Sequence, residues 1–476
     1  MNIDYKELEF KCGLEVHRQM ETHKLFCNCP SLTNTEKVDL TIKRKLKASA
    51  GELGKIDQAA IYESLKDKTF IYEINTNTSC LVEIDEEPPN ELNKEALKTV
   101  LEVALLLNAE IIDEIQIMRK VVVDGSNISS FQRTCLIAIN GFLNTSKGKV
   151  NIPTICLEEE SAKKISQENK SVTYNLDRLG IPLIEIATDS TIKDPEHAKE
   201  VAELIGMILK STGNFKAGLG TIRQDVNVSI KGHPRAELKG FQDLRSIPTT
   251  IDNEIKRQLD NLKSKKVMQS EVRKVESDFT SSFLRPMPTG SRLYPETDVP
   301  SVKITKDTIS KIKIPELITE KTIKLEKKYK INQQLARDIL EYNIDFGNYA
   351  EKYKLNTSLI AELLIEYPKE IKKRFNLTSE KLTQKDFEFV FKNLEEKNIT
   401  KEAAKDILLN IIQNKHIDLS KYKPVDTSEI ENKLKEIIEK NKGASFSALM
   451  GEAMKEFKGK ADGKAVSELL KKLLKG

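Results

Sequence analysis

Proline and glycine are distributed so unevenly that they divide the chain in two. Twelve of its 15 prolines and fourteen of its 20 glycines lie at or before Pro300, and the rest is dominated by Lys, Glu, Leu and Ile. Proline removes a backbone donor and both residues favour turns, so the front must be built from short elements while the back can run as helices. Within the front, the short apolar or alternating segments Phe10 to Val16, Ile181 to Ala187 and Val226 to Ile230 predict strands. Helical periodicity over Asn93 to Leu107 and Pro195 to Lys210 interrupts them. The mixture predicts an α+β domain with a substantially antiparallel sheet over residues 1–304. Beyond it, the spacing of Leu335, Ile339 and Leu340, and of Leu359, Leu363 and Leu364, predicts a helical domain over 305–418. Pro424, in the stretch from Ser420 to Thr427, breaks that periodicity and sets off a small helical tail domain over 426–476.

At 476 residues the chain exceeds the size at which a single core keeps growing, which agrees with several domains. No apolar run approaches the roughly 20 residues needed to cross a bilayer, so a membrane-spanning class is excluded. The opening MNIDYKELEF carries neither an export nor an import pattern, and a cytoplasmic protein is expected. A net charge of +4 is too small to imply nucleic-acid binding without a local basic patch. All six cysteines, Cys12, Cys27, Cys29, Cys80, Cys135 and Cys156, fall in the first third, where a distributed disulfide scaffold would not put them; reduced thiols are expected.

Several constellations could carry chemistry. In GLEVHRQ, Glu15 and His17 are two apart on a predicted strand and share a face, as a metal-binding or proton-exchanging pair would and as a solvent-facing polar face also would. Glu185 lies within the apolar run IPLIEIAT, where a buried carboxylate needs a metal, a cation or a raised pKa; an ion pair with an arginine such as Arg178 would also serve. RQDVNVSI places Arg223, Asp225, Asn227 and Ser229 on one face and Val226, Val228 and Ile230 on the other. CLEEESAKK offers Glu158, Glu159 and Glu160 in succession, and AELK puts Glu237 and Lys239 on a common face; surface charge accounts for each of these taken singly. Arg292 opens RLYPETD, with Tyr294, Glu296 and Asp298 following at a spacing of two. Many oxygen ligands, few histidines and several arginines favour Mg²⁺ with phosphate over a zinc hydrolase. Cys27 and Cys29 form a C-x-C pair, but structural zinc needs four ligands; with no second close pair, Cys80 and His23 would have to complete the set, which argues against zinc. Walker, Rossmann and serine or cysteine nucleophile patterns are absent from the sequence.

Taken in order, GLEVHRQMETHKLFCNCPS (13–31), DGSNISSFQR (124–133), CLEEESAKKI (156–165), NLDRLGIPLIEIATD (175–189), RQDVNVSI (223–230), AELKGFQDL (236–244) and RLYPETDVP (292–300) resemble the B and E subunits of the tRNA-dependent amidotransferases. LFCNCPS, DGSNISSFQR and the acidic CLVEIDEEPP (80–89) favour the archaeal E-type branch, whose members act in forming glutaminyl-tRNA(Gln). The resemblance implies a front cradle similar to glutamine synthetase that binds ATP and metal, and helical and tail domains that embrace tRNA. One departure stands out. Members of the branch usually carry an inserted domain similar to one in bacterial aspartyl-tRNA synthetases, and here only a short stretch around Val272 to Phe283 occupies its place.

The resemblance implies a ligase that uses ATP to phosphorylate the side-chain carboxylate of glutamate misacylated on tRNA(Gln), after which ammonia displaces the phosphate. His17, Glu159 and Glu185 would hold one Mg²⁺, and Glu15 and Asp225 would support a second. Arg223, Lys239 and Arg292 are the expected phosphate contacts. Ammonia would come from a partner, the asparaginase-like glutaminase known as the D subunit. In the tail, Lys455, Lys458, Lys460, Lys464 and Lys471 form the basic patch that net charge does not reveal, expected to meet tRNA phosphates unless it is simply a solvated helix face. The competing readings are a B-type enzyme that also acts on aspartyl-tRNA(Asn), and a tRNA-binding protein without catalysis.

Overall fold

The computed structural model describes residues 3–475 apart from 34–36, 52–53, 219, 242, 265–266, 289–291, 343, 378–380, 442, 458–459 and 462. The chain forms two compact units, Met1–Leu317 and Ile318–Gly476.

The first unit is organised by one long sheet, and the α+β reading with an antiparallel sheet holds. Its strands in chain order are β1 (Lys11–Gln19), β2 (Ile117–Val121), β3 (Phe131–Thr145), β4 (Gly148–Glu159), β5 (Pro182–Ala187), β6 (Ile222–Ser229), β7 (Ala236–Lys239), β8 (Glu271–Val275), β9 (Ser281–Pro286) and β10 (Leu293–Pro295). In space they run β9-β8-β7-β6-β1-β5-β4-β3-β2-β10, with Glu110–Ile111 added beside β3. Every pairing is antiparallel except β7 with β8. Alternation in each strand sends one set of side chains to a dry face: Leu14 and Val16, Ile184 and Ile186, and Val226 and Val228 are all buried there.

Three helices supply the other half of that core: α2 (Lys94–Leu106), α3 (Pro195–Thr212) and α4 (Ile247–Lys263). Val100, Val201, Ile205, Ile251 and Ile255 pack with the strand residues in one cluster. The ends of α3 follow from local chemistry. Asp194 caps its first turn by accepting from the His197 N–H, Pro195 fits the first helical position, and Gly213 at φ 76° closes the other end. A short helix, α1 (Gln58–Ser64), joins the two ends of the sheet. Its Ala60 packs on Val121 and Val123 beside β2, while Tyr62 meets Phe283 of β9 edge-on at 6.3 Å.

A four-stranded sheet, in the order Leu40–Arg44, Thr69–Ile74, Ser171–Asn175, Lys163–Gln167, has its own core of Phe70, Tyr72, Ile74, Val172 and Tyr174. The DGSN turn serves this sheet. Gly125 takes φ 91°, and a Cβ there would run into the Phe70 ring, so only glycine fits.

Over the stretch around Val272 to Phe283, β8 and β9 form a hairpin that extends the sheet edge. The first unit also runs past the boundary expected at 304: Ile309, Ile312 and Leu317 pack against its core. The second unit holds two separate cores. One collects residues from Ile331 to Ile412, including Phe346, Ile360, Phe391 and Ile407. The other joins three helices, Thr427–Lys440, Phe446–Glu456 and Gly463–Lys475, through Leu434, Leu449, Phe457 and Val466. Among the described residues no helix is long and apolar enough to cross a membrane, and all six cysteines are free thiols.

Candidate active site

β1 runs through the middle of the long sheet, and its pleat builds the site. With Leu14 and Val16 committed to the core, Glu15 and His17 leave the opposite face. The register then fixes their neighbours. His17 stands opposite Glu185 of β5 and Arg223 of β6, and Glu15 stands opposite Asp225. On the next strands Glu185 faces Cys156, and Val226 pairs with Leu238, which brings Asp225 beside Lys239.

The contacts are short. His17 Nε2 lies 3.2 Å from Glu185 Oε2, and its Nδ1 lies 4.0 Å from Asp225 Oδ2. Lys239 Nζ is 2.5 Å from both Asp225 Oδ2 and Glu237 Oε1. Lys120 Nζ is 2.6 Å from Glu158 Oε1 and 4.0 Å from Glu185 Oε2. Two groups of ligand atoms each gather within 4.8 Å: Glu15, His17 and Glu185, and Glu15, Asp225 and Glu237. Glu15 belongs to both.

Crowding of like charges in a largely buried bed shows in the titration of these groups. Burial, and the Glu185 carboxylate, push Glu15 up to about 7. Burial would lower His17, but its hydrogen bond to Glu185 carries it up to about 9. Burial would raise Glu185, yet Lys120 and His17 hold it well below the usual carboxylate range. The ammonium of Lys239 is likewise held, against burial, by Asp225 and Glu237. At neutral pH and without metal, a protonated imidazole therefore sits among carboxylates.

Glu185 has the cation its burial demands, but the cations are His17 and Lys120 rather than Arg178. Arg178 instead donates to the Ser161 and Ala162 carbonyls and lies 3.9 Å from Glu160. Arg223 reaches the site's edge with its fork closed on Glu160, at 2.7 and 2.9 Å. Arg292 borders a small cavity with Arg285 and the Val121–Asp124 segment.

Glu159 is not with His17 and Glu185. Leu183 pairs with Glu158 and Pro182 with Glu159, so the pleat sends Glu158 to the Glu185 side and Glu159 to the helix side. There Glu159 accepts from the Arg133 backbone N–H at 3.0 Å and lies 3.3 Å from its guanidinium. Lys120 drew no attention in the sequence; the run QIMRKVVV reads as a strand, but only the order of strands in the sheet brings this lysine to Glu158.

A second cluster lies apart from the first. Ligand atoms of Cys27, Cys29, Cys80 and Glu83 fall within 4.8 Å of one another, with the Cys27 thiol donating to Glu83 Oε1 at 2.7 Å. His23 does not complete it: its Nδ1 faces the Lys24 and Cys27 carbonyls at 2.8 and 2.9 Å. In the tail, Lys455 is exposed beside Glu452 at 3.0 Å, Lys471 lies 5.7 Å from the centre of the Phe446 ring, and the Lys460 N–H donates to the Phe457 carbonyl. Lys464 lies in the last helix, and Lys458 falls outside the described residues.

Comparison with known proteins matches the same two regions. A family model described as the GatB/GatE catalytic domain covers residues 10–310, and one described as the GatB domain covers residues 345–474. The glutamyl-tRNA(Gln) amidotransferase E subunit of Methanocaldococcus jannaschii is 35% identical over 629 aligned positions, spanning 100% of both chains. Those of Methanococcus maripaludis and Archaeoglobus fulgidus are each 34% identical, the first over 100% of this chain and 99% of its own, the second over 99% of each. The alignments are longer than the 476 residues here, so these relatives carry positions with no counterpart in this chain. The chain belongs to the GatB/GatE family, with E subunits of glutamyl-tRNA(Gln) amidotransferases among its relatives.

Proposed function

We propose that the protein is the kinase and transamidase component of an amidotransferase that converts glutamate on misacylated tRNA(Gln) to glutamine. The observation that carries this reading is the bed of Glu15, His17, Glu185 and Asp225, flanked by Lys120 and Lys239, on the open face of the catalytic sheet. A carboxylate is a poor electrophile at neutral pH, so amide formation needs a leaving group. In the first step a side-chain oxygen of the esterified glutamate attacks the γ-phosphorus of ATP, the bond to the β–γ bridging oxygen breaks, and ADP departs. In the second, the nitrogen of ammonia attacks the acyl carbon, the carbon–oxygen bond to phosphate breaks, and the nitrogen gives up a proton.

The donor set suits a hard divalent cation: oxygen ligands from several carboxylates and one imidazole, which fits Mg²⁺. His17, Glu185 and Glu158 would hold one ion, and Glu15, Asp225 and Glu237 a second. Such ions neutralise the approach of two anions, the triphosphate and the glutamate carboxylate. Lys239 would contact phosphate from within the bed and Arg292 from the neighbouring cavity beside Val121–Asp124, while the Arg223 guanidinium is engaged by Glu160. Cys27, Cys29, Cys80 and Glu83 form a separate, closed donor set of three sulfurs and one carboxylate that suits structural zinc. The relatives are named as components of a larger enzyme, which supports a partner; we take it to be the asparaginase-like glutaminase, the D subunit, supplying ammonia.

The test is thin-layer analysis of the aminoacyl group after incubating the protein with ATP, an ammonium salt and glutamyl-tRNA(Gln), with aspartyl-tRNA(Asn) run beside it. Glutaminyl-tRNA is expected from the first only. His17→Ala and Glu185→Ala should abolish the product and leave tRNA binding intact. Binding without ATP turnover in the unaltered protein would establish a non-catalytic tRNA-binding role instead.

A further inference from the structure

We infer that Lys120 is a built-in counter-cation, holding metal-binding carboxylates in the metal-free protein and passing to a phosphate oxygen of ATP when a divalent ion takes its place. The inference rests on the metal reading proposed above. Glu185 Oε2 is the oxygen that faces His17 Nε2 at 3.2 Å, and Lys120 Nζ stands 4.0 Å from that same atom. The ammonium thus sits beside the oxygen that an ion between His17 and Glu185 would use. Its nearer hold is Glu158, at 2.6 Å.

The other half of the bed repeats the arrangement. Lys239 bridges Asp225 and Glu237, two of the three members of the second ligand group. Each ligand group therefore has its own lysine, and the shared Glu15 lies between them. Largely buried carboxylates this close cannot stay ionised together without a counter-charge, and the lysines supply it. A divalent ion brings two positive charges where the ammonium brought one, so the two compete for the same oxygens. Once displaced, Lys120 faces the ion's repulsion and has a flexible four-carbon stem with which to move. The anion arriving with the metal is the triphosphate. Glu158 does not lose all support when the lysine leaves, because Gln132 Nε2 still donates to its Oε2 at 3.3 Å.

Competition gives an experimental signature that loss of structure would not. Mn²⁺ binding to the full-length protein, without nucleotide, is measured for the wild type, Lys120→Met and Lys120→Arg. The methionine variant should bind Mn²⁺ about tenfold more tightly, with the arginine variant close to wild type. In the same methionine variant ATP-dependent glutaminyl-tRNA formation should fall by about a hundredfold. Tighter metal with weaker turnover supports the exchange, while equal or weaker Mn²⁺ binding in Lys120→Met overturns it. If the wild type binds no Mn²⁺ with or without ATP, the metal reading itself falls, and this inference with it. A second measurement needs no variant. Acetylation of Lys120 in the wild type, followed by mass spectrometry, should rise when Mg²⁺ is added and fall again with Mg²⁺ and a non-hydrolysable ATP analogue. Unchanged labelling across the three states overturns the proposal.

Discussion

Glu158 and Glu159 are consecutive residues of β4 whose carboxyl groups leave the sheet on opposite sides, one 2.6 Å from the Lys120 ammonium and the other 3.3 Å from the Arg133 guanidinium. The first faces the acidic bed, and the second belongs to a buried ion-pair network in which Arg133 also holds Glu296 at 2.7 Å. The two should respond differently to the same change. Glu158→Gln should abolish ATP-dependent transamidation with little change in melting temperature. Glu159→Gln should cost about 1–3 kcal/mol of stability by unbalancing buried charges, with turnover per folded molecule retained. Thermal melts and single-turnover assays on the pair read the outcome directly, and the reverse pattern would return Glu159 to the metal.

The protons on the bed set the pH dependence of metal uptake. His17 is raised to about 9 and Glu15 to about 7, and an ion can use either group only after its proton leaves. Raised values mean that the protonated forms dominate below them, so affinity for the ion must grow with pH. Between pH 7 and 9 one proton is displaced, and apparent Mn²⁺ affinity should rise about tenfold per pH unit. It should rise more steeply below 7, where Glu15 is protonated too, and level off above 9. Calorimetric titrations in buffers of different ionisation enthalpy count the protons released; a flat profile would remove His17 from the ligand set.

The sulfur cluster predicts a different metal with a different consequence. Purified protein should carry about one zinc per chain, and Cys29→Ser or Cys80→Ser should lose it. Because the three thiols come from two distant stretches of the chain, removing the ion should lower the melting temperature by several degrees without changing the pH profile of transamidation. Elemental analysis and chelator-treated melts test this. A zinc-free protein whose stability ignores chelators would leave the cysteines as ordinary buried thiols.

Much of the acidic face was legible because a strand's period is two and its evidence is local. Glu15 with His17, the Arg223 to Ser229 alternation and the burial of Glu185 all follow from residues within one strand. The reading failed where the answer depended on phase or on pairing. Glu158 and Glu159 are equally acidic, and only the register with Leu183 and Pro182 decides which one faces Glu185. Lys120 comes from a strand two places beyond β4 in the sheet, and nothing in its own segment announces that it will meet Glu158. By residue type His23 is a fourth candidate beside the three cysteines, but its Nδ1 faces backbone carbonyls, and the carboxylate within 4.8 Å of the three sulfurs belongs to Glu83, one acid among several in an acidic stretch. Helices were easier: capping and proline signals at Asp194 and Pro195 are local, and the observed start of α3 follows them. The segment after 304 is helical in pattern, yet its Ile309, Ile312 and Leu317 pack on the first core, a contact that periodicity alone does not reveal.

The tail's three helices enclose a core of their own, so its lysines can be tested without touching the catalytic sheet. Lys455, with 78% of its side chain exposed, pairs among the described residues with the neighbouring Glu452, a surface pair of about 0–1 kcal/mol that a nucleic-acid phosphate can replace at little cost. Each phosphate contact made by such a lysine releases condensed counterions, and affinity then falls linearly with salt on a logarithmic plot. Replacing Lys455, Lys460 and Lys471 together by glutamine should weaken tRNA binding and flatten the salt slope by about three phosphate contacts. ATP turnover at saturating tRNA should stay at the wild-type level, because the acidic bed of the first unit is untouched. Filter binding across a salt series separates the cases. An unchanged slope would mean that the tail lysines are a solvated face, and that the tRNA is held elsewhere.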